Sequence, residues 1–377
     1  LTVPMRDIEE RLQGPEQTVH GGNIWDIADE NTVRKGGLID FSSNINPLGP
    51  SEKVYEAVRE SLWKIRFYPQ IDSKNLRIKI AERHEGLKYS NVIIGNGSCE
   101  LIHLFTQTFV KSNTLTLIPI PTFSEYYYAT CKVGGAVKEV EPKGDLTFDV
   151  DKIIGNIREN SIIFLCNPNN PTGTLLDRKS ITYIVEYASR RDSLVFVDEG
   201  FIDFTRDPER TTLSSNVSKY WNLFVLRSLT KSHGLAGLRI GYGIASEEII
   251  EAMHRLKVPW NVNCLAQAAA EAAIDDDEFL DRTRKAILNE RIWMISRLRS
   301  IPKLKVYDSE ANFILIDMKT SSLTSREVSN RALENGLMIR DCSSFRGLDE
   351  YHIRVAVRKR EENTRLIRFF ESLLGNA

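Results

Sequence analysis

The stretch "SLTKSHGLAGLRIGY", residues 228–242, sets the reading of the whole chain. The run "LFVLRS" (223–228) that leads into it is short, apolar and rich in branched side chains, so it reads as a buried strand. That strand delivers Lys231 into a turn rich in Ser and Thr, and a second apolar run, "RIGYGIA" (239–245), opens on Arg239 eight residues after the lysine. An isolated lysine is ordinarily a solvated surface charge. Lys231 gains meaning only from what other strand ends bring to it.

Similar runs recur outward from this point: "NVIIG" (91–95), "TLTLIP" (114–119), "SIIFLC" (161–166) and "SLVFVD" (193–198). Near-continuous apolarity bounded by Gly, Pro, Asn or Asp predicts strands buried on both faces. Between them lie segments with apolar residues every three or four positions, such as "SCELIHLFTQTFV" after Gly97 and "DRKSITYIVEYASRR" after Leu176, which predict covering helices. The expected fold class is α/β: a large domain with a mostly parallel central sheet covered by helices, over residues 48–275. At 377 residues the chain exceeds the usual size of one domain. From about residue 276 a long charged helical pattern precedes the strand-like "KVYDS", "NFILIDM", "LMIRDC" and "YHIRVAVR", which predicts a smaller α+β domain over 276–377. Residues 1–47, with "HGGN" and the turn-rich "FSSNINPLGP", are expected to form an N-terminal arm associated with the small domain or a partner subunit.

Fifty basic residues balance fifty-one acidic ones, for a formal net charge of -1, which removes the electrostatic basis for nucleic acid or an anionic membrane surface. No apolar run approaches the roughly 18 residues that span a bilayer, and "LTVPMRDIEERLQG" lacks the features of a signal peptide. A soluble cytoplasmic protein with a small-molecule partner is expected. The cysteines (Cys99, Cys131, Cys166, Cys264, Cys342) form no CxxC and the histidines no HExxH, so no metal site is expected.

In open α/β sheets ligands sit beyond the carboxyl ends of strands. "IIGNGSCE" puts Gly97, Ser98 and Cys99 at a strand-to-helix turn, where free N–H groups and the helix dipole favour a phosphate. "CNPNNPTG" (166–173) offers Asn170 in a Pro-fixed loop, and "VFVDEG" ends on Asp198. Each alone has an ordinary reading: a turn, another turn, and a helix cap or internal ion pair. Joined to Lys231, Ser228, Thr230 and Arg239 they describe a pyridoxal phosphate site. The lysine serves for a Schiff base, the carboxylate holds a pyridine nitrogen protonated, and the hydroxyls and arginine hold a phosphate.

"NPNNPTG", "VDEGF", "SLTKSHGLAGLRIGY" and "RVAVR", in this order across nearly the full chain, resemble the fold type I family of pyridoxal phosphate enzymes. The resemblance implies that Asn170 hydrogen-bonds the cofactor O3', that Phe123 of "PTFSEY" stacks on its ring, and that Tyr68 of "RFYPQ" reaches the phosphate bound by the other subunit of a homodimer. Without it, core packing and a surface turn would account for Phe123 and Tyr68. It further implies that Arg354 of "HIRVAVR" holds a substrate carboxylate, that Arg340 of "LMIRDC" faces a substrate phosphate, and that His20 and Asn23 of "HGGN" close over that phosphate. Ion pairs with Asp341 or Asp349 are the plain alternative for the two arginines.

Within the family the chain is similar to two groups that bind phosphorylated amines or amino acids. "HGGN" with "DFSSNINPLGP", the "SLTK" form of the lysine motif, and "FRGLDEYHIRVAVRKREEN" resemble the L-threonine O-3-phosphate decarboxylases of cobalamin biosynthesis. The implied reaction is decarboxylation to (R)-1-amino-2-propanol O-2-phosphate and CO2. The alternative is histidinol-phosphate aminotransferase, with 2-oxoglutarate as acceptor. Phe201 in "DEGF" stands where that second group usually carries tyrosine, and a phenyl ring cannot donate to O3', although packing alone would also explain it. A regulatory module that keeps the cofactor fold would carry a basic DNA-binding extension or lack the lysine, and neither is seen.

Overall fold

The structure, a computed structural model, describes residues 20–375. Its strands are β1 (Ile39–Asp40), β2 (Val92–Gly95), β3 (Leu115–Pro119), β4 (Ala136–Val140), β5 (Ile162–Cys166), β6 (Leu194–Asp198), β7 (Leu223–Ser228), β8 (Gly241–Ile244), β9 (Lys305–Val306), β10 (Phe313–Asp317), β11 (Leu337–Met338), β12 (Arg340–Asp341) and β13 (His352–Ala356). The seven-stranded sheet runs β2-β8-β7-β6-β5-β3-β4, with β8 antiparallel to both neighbours and the remaining pairs parallel. Cys166 faces Asp198, Asp198 faces Leu226, and Ser228 faces Gly241 across the ladders. The carboxyl ends of β5, β6 and β7 and the start of β8 therefore share one edge.

Each central strand alternates between two cores. Phe164, Phe196 and Phe224 line up on one face, with neighbouring ring centroids 4.9 Å apart, while Leu165, Val197 and Val225 pack on the other. A sheet so buried has no polar face, which is why its strands read as continuous apolar runs. Gly243 of β8 is fixed by this ladder, because a Cβ there would fall 2.2 Å from Phe224 Cζ. Strand β4, "AVKEV", was not among the predicted strands. It sits at the sheet edge with exposed and partly buried residues alternating, so its sequence lacks an apolar run.

The C-terminal lobe is a four-stranded antiparallel sheet, β12-β13-β10-β9, packed against the helices Asp277–Arg299 and Arg360–Leu374. "LMIRDC", predicted as one strand, divides between two sheets. Leu337–Met338 pairs in parallel with β1, and Arg340–Asp341 pairs with β13. A parallel partner from the N-terminal segment thus covers the first half, which no local pattern could announce. The same segment reaches the main sheet at Asn46. Its N–H donates to the Lys231 carbonyl (3.1 Å), and its side-chain amide donates to the Ser232 carbonyl (2.7 Å) and to Thr283 Oγ1 (2.9 Å). Among the described residues no helix is long and apolar enough to cross a membrane, and no cluster of His, Cys, Asp and Glu could hold a metal ion.

Gly243→Ala should push the Phe224 ring out of its ladder and lower unfolding stability by about 1–3 kcal/mol, the usual cost of overpacking. Thermal denaturation followed by circular dichroism reads this out; an unchanged midpoint would contradict the ladder.

Candidate active site

A cavity of about 290 Å³ opens beyond the carboxyl ends of β5, β6 and β7, between the main sheet and the C-terminal lobe. A larger cleft, about 650 Å³, lies on the other side of the Lys231 turn, but its buried charges answer one another: Arg227 pairs with Asp203 and Glu199. The residues that carry chemistry converge on the smaller space.

Lys231 stands on the one-turn helix Leu229–Ser232 that follows β7, with its Nζ 6.0 Å from the centre of the Phe201 ring. Burial, reinforced by the nearby Arg354 guanidinium, lowers the amine to about 8. Asp198 ends β6 buried, accepting from the Tyr126 hydroxyl (2.7 Å) and the Gly200 N–H (2.8 Å). Burial raises its carboxyl above the usual range, against the opposing pull of those two donors and of Lys231. Such a group is short of a cation.

The other end of the cavity is built for an anion. Gly97 caps the helix Ser98–Phe109 at φ 81°, and a Cβ there would lie 2.6 Å from the Arg239 guanidinium. Gly241 is held in the same way, since its Cβ would meet Ser98 N at 3.0 Å. Two absent side chains therefore let Arg239 and β8 close on a helix N-terminus. Ser98 and Cys99 line the cavity there, as do Ser228 and Thr230. The Ser228 hydroxyl is buried with no hydrogen-bond partner among the described residues, and that of Thr230 makes only a long contact, 3.4 Å, to the Ile240 carbonyl.

On the facing wall Arg340 and Arg354 are opposite one another in the β12–β13 ladder, and both are buried. Arg354 donates to Asn170 Oδ1 and, at 2.8 Å, to the Ser42 carbonyl, while its Nε has no partner among the described residues. Burial lowers it to about 10, and Arg340 adds to the effect. Arg340 donates to Ser344 Oγ (2.9 Å) and lies 5.3 Å over the Phe345 ring. Asp341 accepts from Ser325 Oγ and the Ser343 N–H while its charge still acts on Arg340, and Asp349 meets His352 Nδ1 and accepts from the Tyr351 N–H.

Phe123 and His20 also border the cavity, their ring centroids 5.9 Å apart, and His20 Nε2 meets Glu125 Oε1 at 2.8 Å. Asn23 does not join them. It precedes the short helix Ile24–Ile27 and is exposed, because the turn at Gly22 (φ 90°) carries the chain outward after His20. Tyr68 is 83% exposed and packs at a tilt against Trp260 (ring centroids 5.0 Å apart), beside exposed Trp63, Ile65, Phe67 and Ile71 and outside this cavity. Sequence reasoning missed Tyr126, Glu125, Ser42, Asn44 and Phe345. The first two follow Phe123 within "PTFSEYYY", where nothing local distinguishes a buried polar group from a surface one.

Pyridoxal phosphate fits these residues. The unpartnered Ser228 hydroxyl, the helix N-terminus and Arg239 suit its phosphate. A protonated ring nitrogen supplies the cation that Asp198 lacks, and a lysine close to neutrality suits its aldehyde.

The sequence matches the family model for aminotransferase class I and II over residues 37–370. A putative threonine-phosphate decarboxylase of Caldanaerobacter subterraneus subsp. tengcongensis is 39% identical over 94% of this chain and 93% of its own length. The histidinol-phosphate aminotransferase of Methanothermobacter thermautotrophicus is 36% identical over 98% of both chains, and most of the related sequences carry that second name. Among solved structures, the histidinol-phosphate aminotransferase from Clostridium acetobutylicum superposes with a TM-score of 0.84 at 28% identity, covering 90% of this chain and all of that one.

Because only the neutral amine attacks an aldehyde, cofactor capture should accelerate as pH rises through about 8. The check is the rate at which apoprotein mixed with pyridoxal phosphate gains the absorbance of the bound cofactor. A midpoint near the ordinary lysine value, about 10.4, would show that burial does not act on Lys231 as described.

Proposed function

The chain belongs to the aminotransferase class I and II family, which depends on pyridoxal phosphate, and on that premise we propose that it acts at Cα of a small substrate carrying an amine, a carboxylate and a phosphate. The finer reading is decarboxylation of L-threonine O-3-phosphate to (R)-1-amino-2-propanol O-2-phosphate and CO2. The observation that carries the substrate class, an amine with two anionic groups, is the arginine pair. Two buried guanidiniums in ladder register face one small cavity, where their repulsion is relieved by a compact ligand with two anionic groups. Arg354, through its unpartnered Nε, would take the carboxylate, and Arg340 with His20 the phosphate.

Bound pyridoxal phosphate supplies an electron sink for the charge left at Cα when a bond breaks. Lys231 would hold the cofactor and, once released by the substrate amine, would supply the proton that Cα takes up in place of the lost carboxylate. Asp198, supported by Tyr126 and Gly200, keeps the ring nitrogen protonated. Arg354 anchors Asn170 by its Oδ1, so the amide nitrogen is the donor available to O3'. Arg354, Arg340 and His20 fix which Cα bond stands perpendicular to the ring, and so which one breaks. Phe201 lines the cavity but also meets Phe313 edge-on at 5.1 Å in the core of the C-terminal lobe. Its packing and its inability to donate to O3' are both compatible with the decarboxylase reading.

A second reading, histidinol-phosphate aminotransferase, has the wider support among named relatives. The arginine pair also suits it, because glutamate, its amino donor, carries two carboxylates. There Lys231 would carry the proton between Cα and the cofactor. Decarboxylation rests on the 39% identical relative from Caldanaerobacter, on "HGGN" and "FRGLDEYHIRVAVR", and on Phe201. We place the active form as a homodimer, with the exposed apolar surface of Trp63, Phe67, Tyr68 and Trp260 covered by a second copy.

Holoenzyme given L-threonine O-3-phosphate should release CO2 with no keto acid, and Lys231→Ala should abolish it. Glutamate formed from histidinol phosphate and 2-oxoglutarate, without CO2 release in the first assay, would transfer the assignment to the second reading. Trp63→Glu should shift the protein to monomer in light scattering; a persistent dimer would mean that this surface is not the subunit contact.

A further inference from the structure

A carboxylate placed just behind the wall of an anion-binding cavity needs its charge offset. Glu125 is buried, the first residue of the helix Glu125–Lys132, and stands next to the cavity residue Ser124. It is close enough to Cys99, in the cavity wall, to help raise that thiol. An imidazole reaches each of its oxygens: His20 Nε2 meets Oε1 at 2.8 Å, and His103 Nε2, from the helix Ser98–Phe109, meets Oε2 at 3.0 Å. An ionised carboxylate only accepts, so both rings donate from Nε2, and the bond to Glu125 sets the tautomer and ring angle of each.

His103 belongs to the scaffold, with its ring edge-on to Tyr128 at 6.0 Å. His20 comes from the N-terminal arm, 105 residues away in sequence, and is the one of the two that borders the cavity. The arm is seated beside it. Gly22 N–H donates to Ser42 Oγ (2.8 Å), and Gly21 lies so close to the Ser42 carbonyl that a Cβ would fall 2.4 Å from it. That same carbonyl accepts from Arg354. The arm, the arginine expected to hold the carboxylate, and His20 are therefore held through shared groups.

We propose that Glu125 is a positioning residue that fixes His20 at the cavity mouth, and that this pair makes the site prefer phosphorylated amines over the same amines without phosphate. The proposal rests on the reading of His20 and Arg340 as the phosphate end of the site. His20 acts on the ligand and Glu125 acts through His20. Loss of His20 also leaves Glu125 short of one of its partners, so that its charge opposes an incoming phosphate.

The test uses holoenzyme and two ligands that have no carboxylate to lose, O-phosphoethanolamine and ethanolamine, with equilibrium binding read from the change in cofactor absorbance. Wild-type protein should bind the phosphorylated amine more tightly. Glu125→Gln and His20→Ala should each weaken O-phosphoethanolamine by about tenfold, the scale of one charge-assisted hydrogen bond, and leave ethanolamine unchanged. Because the two residues act as one unit, His20→Ala with Glu125→Gln should bind phosphate no worse than His20→Ala alone. Multiplying effects, equal loss for both amines, or a preference that survives Glu125→Gln would overturn the proposal. If Glu125→Gln fails to retain cofactor, Glu125→Asp must show the same selective loss or the proposal falls. A wild type with no preference for the phosphorylated amine would instead remove the phosphate-end reading itself, and this proposal with it.

Discussion

The structure turns on a surplus of positive charge around one cavity at the sheet edge, part of it buried (Arg340 and Arg354) and part exposed (Arg239). The cavity is lined by Lys231, Arg239, Arg340 and Arg354 but by a single carboxylate, Asp198. Charge taken out of water is costly, and anionic ligands bound here would offset part of that cost. Burial leaves its mark on three of these groups. Lys231 is lowered to about 8, Arg354 to about 10, and Asp198 is raised by its burial. A phosphate near Arg239 and Ser228, a ring cation near Asp198, and two anionic groups near the arginine pair would satisfy the whole set.

That arrangement depends on how the chain crosses itself. Parallel β5, β6 and β7 end together, and antiparallel β8 begins at the same edge, so Arg239 enters from the opposite direction to Lys231. The N-terminal segment pairs β1 with β11, then passes Ser42 to Arg354 and Asn46 to the Lys231 turn. Groups on opposite walls of the cavity are thus joined by hydrogen bonds to the backbone of a single stretch of chain. A change at Ser42 or Asn46 would be felt at both, although neither residue carries charge.

Much of this is legible in the sequence for a physical reason. Strands buried on both faces must be apolar along their length, so their ends stand out, and Ser228, Asp198, Asn170 and the turn at Gly97 can be read as a set from the residues alone. Where an element is half exposed or shared, the signal fails. Edge strand β4 alternates, and "LMIRDC" serves two sheets. Asn23 shares the short motif of His20 yet points elsewhere, since one left-handed glycine between them redirects the chain. Tyr126 and Glu125 are invisible to local patterns because their importance lies in partners 72 and 105 residues distant. Phe201 shows a different limit: its sequence neighbours suggest an electronic role, and its contact with Phe313 gives an equally physical structural one.

Capture of the cofactor by Lys231 is the step on which every other assignment in the cavity depends. Holoenzyme reduced with borohydride, digested and mapped by mass spectrometry should carry the pyridoxyl phosphate mass on the peptide containing Lys231, with no comparable adduct on another lysine. A cofactor adduct on a different lysine, or none in protein that binds pyridoxal phosphate, would contradict the placement of the site at the ends of β5, β6 and β7.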